Sequence, residues 1–92
     1  MTSISSFVTP DYKAFIKACK AVIEAAEKSK PTSMLRYAGT YANVGIQMAH
    51  AKGTAADLST QASYILTNLG GWRGPVAQET KKTLQSFTKA YK

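Results

Sequence analysis

The run Gly70-Gly71-Trp72-Arg73-Gly74-Pro75 most constrains what this chain can fold into, because residues that release the backbone flank a large aromatic between two helical patterns. Two glycines after the apolar positions ending at Leu69 supply a left-handed closing residue without Cβ strain, so a helix is expected to end with Gly70 at C′. Pro75 has no amide hydrogen and a fixed φ, which suits the first turn of the next helix and makes Gly74 its expected N-cap. Only Trp72 and Arg73 lie between. A tryptophan on so short a link serves either as a plug between the helices it joins, its indole nitrogen hydrogen-bonded at the edge, or as an exposed partner anchor, since Trp and Arg dominate interface hot spots.

The remaining breaks divide the chain into helices over about 10–29, 33–52, 55–69 and 75–91. Thr9-Pro10-Asp11 reads as an N-cap, a proline at N1 and an acid in the first turn. Tyr12, Phe15, Ile16, Cys19, Val22, Ile23 and Ala26 then recur at the spacing of one buried face, and Lys20, Glu24 and Lys28 can pair on the other side. Lys30-Pro31 stops this helix, and Thr32 or Ser33 caps the second. That helix carries two apolar stripes: Tyr37, Tyr41, Val44 and Met48, and Leu35, Ala38, Ala42, Ile46 and Ala49. A helix apolar most of the way round is expected in the middle of a bundle, with both tyrosines in the core; otherwise one stripe is a homodimer seam. Gly39 and Gly45 weaken the helix unless a neighbouring backbone comes close, and Gly53 is the expected C′ residue.

Thr54-Ala55-Ala56-Asp57 has capping-box spacing with Asp in place of Glu. The third helix then buries Leu58, Ala62, Ile65, Leu66 and Leu69 and turns out a neutral face of Ser59, Thr60, Ser63, Thr67 and Asn68. In the fourth, Val76, Thr80, Leu84, Phe87 and Tyr91 face inward, while Lys81, Lys82, Gln85, Lys89 and Lys92 form a basic outer band. The expected architecture is all-α, a compact antiparallel four-helix bundle with short loops, in which residues 1–8 are a flexible tail and 9–92 one domain.

Twelve Lys and Arg against five Asp and Glu give a net charge of +7, which favours acidic partners: nucleic acid, anionic lipid or an acidic protein. Lys13, Lys17 and Lys20 on the first helix and Lys81, Lys82, Lys89 and Lys92 on the fourth would pool into one positive surface if those helices are neighbours. Neutralising about six phosphates would give a salt slope near −5 on duplex DNA. The plainer reading of such lysines is solubility. Arg36 and Arg73 are the residues suited to bidentate contacts.

Catalysis finds little here. His50 stands alone near a helix end, Cys19 lies in an apolar stripe, and the acids sit at helix starts or in charge pairs, so no enzyme, cofactor or metal site is expected. A helix-turn-helix reading of the second and third helices fails where a buried aliphatic is wanted: Ser59 falls there, Leu58 arrives one position early, and the recognition helix would carry no Arg or Lys. No secretory signal or membrane span is expected and no membrane-surface role, so the chain is placed in the cytoplasm. Two functions follow as expectations. One is a small basic accessory protein that binds nucleic-acid backbone without sequence specificity, alone or as a small subunit of a larger complex. The other is a protein-protein adaptor or inhibitor, of the kind phages and mobile elements carry, acting through Trp72, Arg73 and the third helix.

Overall fold

The computed structural model describes residues 10–90. The tail expected over 1–8, the expected cap Thr9, Tyr91 and Lys92 lie outside the described residues. Four helices follow in order, α1 (Tyr12–Glu27), α2 (Met34–His50), α3 (Ala55–Thr67) and α4 (Pro75–Ala90), with no strand among the described residues.

Local chemistry explains where they start. Asp11, expected inside the first turn, is itself the N-cap of α1, its carboxylate accepting from the Ala14 amide at 3.0 Å. Ser33 caps α2 by accepting from the Leu35 amide at 3.1 Å. At α3 the capping box forms with Asp in the distal position: the Asp57 amide donates to Thr54 Oγ1 at 3.1 Å and the Thr54 amide to Asp57 Oδ2 at 3.3 Å. Pro75 opens α4, and Gly74 ahead of it has φ 111°, a conformation that suits glycine.

α1 stops at Glu27, two residues short of the expected end at 29, and two further helix ends differ in how they close. At the end of α2 the left-handed residue is Lys52 (φ 60°), not Gly53. The Lys52 amide donates to the Ala49 carbonyl at 3.0 Å and the Gly53 amide to the Met48 carbonyl at 2.9 Å, which closes a Schellman motif with lysine at C′. Tyr12 supports this turn from α1, its hydroxyl donating to the Gly53 carbonyl at 2.8 Å, while the Lys52 ammonium stands 4.9 Å from the centre of the Tyr12 ring. The other difference is at α3, which stops at Thr67 with Asn68 as C-cap, so Gly70 is not its closing residue.

Each helix runs beside its neighbours in sequence, and α1 also runs beside α4; among the described residues the backbones of α1 and α3, and of α2 and α4, do not come close. The expected central position of α2 is therefore wrong. Its neighbours are α1 and α3 alone, so one side of it faces outward. Phe15, Val22, Leu58, Ile65, Leu69 and Leu84 form the bulk of the core, with the Phe87 ring edge-on to Phe15 at 5.0 Å. Ala77 joins the core where Val76 was expected, and Val76 is exposed.

The contact between α1 and α2 is the tightest in the bundle. A Cβ added at Gly39 would lie 2.7 Å from the Ala26 Cβ, and one at Gly45 would lie 3.1 Å from both Cys19 Sγ and the Phe15 ring. The fully buried positions of α2 are consequently all small, Ala38, Ala42, Gly45 and Ala49, with Leu35, Ile46 and Met48 half-buried against the core beside them. Backbones this close leave no volume for aromatic rings between them. Tyr37 is 64% exposed, and Tyr41 and Val44 are exposed beside it, which reverses the expectation that this stripe is core for all of it but Met48, which packs half-buried against the core.

Gly39→Ala should therefore destabilise by up to about 2 kcal/mol in urea unfolding, because an overpacking penalty of about 1–3 kcal/mol is set against roughly 1 kcal/mol gained in helix propensity. Gly70→Ala meets nothing within 4 Å. It should be neutral or stabilising by up to about 1 kcal/mol.

Candidate functional site

Among the described residues, the largest cluster of exposed apolar side chains is built by α2 and α3. Met34, Tyr37, Tyr41 and Val44 follow at three- and four-residue steps along α2, and Tyr64 meets them from α3. The Tyr41 and Tyr64 rings lie 5.6 Å apart at 31°, a pair that still leaves Tyr64 52% exposed. Beneath them Gln61 is buried and donates from Nε2 to the Tyr41 carbonyl at 2.7 Å, so a polar tie in the helix interface holds the rings in register. Thr60 and Thr67, one turn before and after Tyr64, are exposed hydroxyls.

This face differs from the neutral α3 surface read from the sequence. Ser59 is buried and Asn68 half-buried, its side chain donating to the Tyr64 carbonyl at 3.1 Å, whereas Tyr64 stands out. The missed residues are Tyr64 and Gln61. Tyr64 falls two positions after the core residue Ala62, on the far side of the helix, and that offset was the available signal.

The basic residues are arranged less simply than expected. α1 and α4 are neighbours, and Lys13, Lys17, Lys20, Lys82 and Lys89 are exposed. Glu79, however, lines the α1–α4 groove with Lys17, and Asp11 and Glu79 line the adjoining one with Lys82. Two of the cations have structural tasks. Lys81 is half-buried and donates from Nζ to the Trp72 carbonyl at 2.7 Å, which takes it out of the outer band and ties α4 to the preceding turn. Arg36 donates to the Ser29 carbonyl at 2.8 Å, at the end of α1. The one ion pair among the described residues, Lys28 to Glu24 at 3.8 Å, is exposed on both sides and adds little.

Trp72 is half-buried and packs on the core, in a groove where the ends of α1 meet Leu35 and Val76; among the described residues its indole nitrogen has no protein partner. Arg73 beside it is exposed. Cys19 is fully buried, and burial pushes its thiol up to about 12, so it remains an apolar filler without thiolate character. Among the described residues no group of three His, Cys, Asp or Glu could hold a metal ion, and no helix is long and apolar enough to cross a membrane. Set beside known proteins, the chain matches no family model, no curated protein and no solved structure.

The division among the lysines can be measured. Lys81→Ala removes a charged donor from a partly buried carbonyl and should lower stability by about 1–2 kcal/mol. Lys82→Ala, on the exposed face, should stay within about 0.5 kcal/mol of the parent in the same urea titration.

Proposed function

We propose that this chain is a non-enzymatic docking module that binds an acidic partner protein through the tyrosine face of α2 and α3. The observation that carries the reading is the exposed set Tyr37, Tyr41, Val44 and Tyr64. An apolar cluster this concentrated on a 92-residue chain marks a recognition surface, and tyrosine provides large, stiff contact area with a hydroxyl at its tip. Hydroxyl-rimmed faces of this kind suit reversible heteromeric contacts, whereas permanent homodimer seams are more uniformly apolar. A net charge of +7 draws an acidic partner in and opposes close approach of a second copy.

In this reading neighbouring helices run antiparallel, which holds the face rigid on two packed rods. Support comes from the pairing of Tyr12 with Gly53 and of Ala26 with Gly39, positions that advance along α1 as they recede along α2. Short connections between helices favour the same arrangement. Trp72 serves mainly to close one end of the bundle, and the partner-binding role expected of it moves to the tyrosines.

The test is affinity capture from the source organism's extract with the parent protein, with Tyr37→Ser/Tyr64→Ser, and with Lys82→Gln/Lys89→Gln, followed by titration of the purified partner. The tyrosine variant should lose at least about tenfold in affinity, an effect of hot-spot size, and the lysine variant should lose less than about threefold. Capture that survives the tyrosine changes, or parent protein that elutes as a dimer dissociated by them, overturns the reading.

A further inference from the structure

A second surface, independent of the tyrosine face, lies where the outer sides of α1 and α2 meet. Lys13, Lys17 and Lys20 rise on consecutive turns of α1, His50 approaches from the last turn of α2, and Ile16 forms the floor of a shallow hollow of about 420 Å³. The three lysines and His50 are all exposed. We propose that this hollow is a phosphodiester-binding site that takes one strand of a nucleic acid along its backbone.

Charge placement is the first argument. All five carboxylate side chains of the sequence fall within the described residues, and none of them lines this hollow. Asp11 and Glu79 face the α1–α4 grooves, Asp57 caps α3, and Glu27 lies about two helical turns beyond Lys20; Glu24, one turn beyond Lys20 on the same stripe, ends the row and pairs with Lys28 at 3.8 Å. Lys17 alone also borders the groove that holds Glu79. The lysine steps of four and three residues set like charges beside each other on the helix, an arrangement that opposes folding and that a bound anion relieves.

Geometry chooses the ligand. From Lys13 to Lys20 the helix advances roughly 10 Å, at about 1.5 Å per residue. A duplex strand presents one phosphate per roughly 3.4 Å of axis, so the row spans about three steps and its three cations meet three of the roughly four phosphates along it. A single phosphate group would call for donors converging on a point, and a lipid surface would call for bulky exposed apolar groups; Ile16, the one apolar residue here, is half-buried. The site replaces the pooled α1–α4 surface expected from the sequence, drawing on Lys13, Lys17, Lys20 and His50 and leaving Lys82 and Lys89 aside.

The experiment is a fluorescence anisotropy titration of a labelled random-sequence duplex oligonucleotide with the full chain at about 50 and about 200 mM salt. Three phosphate contacts predict a log–log slope near −2.7, hence roughly 40-fold weaker binding over that range. Lys13→Gln/Lys20→Gln should weaken binding more than about tenfold at low salt and flatten the slope to about −1, with a circular dichroism spectrum like the parent's. Lys82→Gln/Lys89→Gln and Tyr37→Ser/Tyr64→Ser should leave both unchanged, which separates this site from the protein-docking face. No binding at low salt, equal losses in the two lysine variants, or binding to phosphatidylserine vesicles without binding to the oligonucleotide overturns the proposal.

Discussion

Close approach of α1 and α2 is the constraint on which the rest of the structure depends. It exists because Gly39 and Gly45 present no Cβ where Ala26, Cys19 and Phe15 need room. Each glycine is unfavourable in an isolated helix, by about 1 kcal/mol relative to alanine, so the contact must return that in packing. It also dictates the fate of the tyrosines on α2. With alanine and glycine filling the inward side, the aromatic stripe is left outside, and α3 completes it with Tyr64.

The same packing sorts the charges. Lys81 and Arg36 end up serving backbone carbonyls at one end of the bundle, where helices and turns leave acceptors without partners. Glu79 and Asp11 settle among the cations of the α1–α4 side. What remains is a surface with two distinct characters, a neutral aromatic face on α2 and α3 and a row of three cations with His50 around a hollow that no carboxylate lines on the outside of α1. Neither character follows from the net charge of +7, which is a property of the whole chain and carries no address.

Much of the fold was legible in the sequence because its punctuation is local. Ser33, the Thr54–Asp57 box and the start at Pro75 all act through bonds or steric limits within a few residues, whereas α1 already stops at Glu27, ahead of the stop expected at Pro31. The close approach at Gly39 and Gly45 was legible for a related reason: a helix tolerates interior glycine where a neighbour needs the space. Periodicity could not decide which stripe of α2 faces inward, since both repeat at helical spacing. The small size of Ala38, Ala42 and Ala49 carried that answer, but only the position of α1 makes it decisive. Lys52 in a left-handed conformation escaped for the opposite reason, because the glycine next to it is the residue that intrinsic preference selects. Lys81 and Gln61 act across helices, and no local pattern announces such bonds.

The most direct measurement of the central claim is nitration of the folded monomer by tetranitromethane, with each tyrosine quantified by peptide mass spectrometry. If the small-residue seam expels the aromatic stripe, Tyr37 and Tyr64 react several-fold faster than Tyr12, whose hydroxyl is held by the Gly53 carbonyl. Tyr37 and Tyr64 protected as well as Tyr12 would mean that α2 turns its aromatic side inward, and would contradict the account.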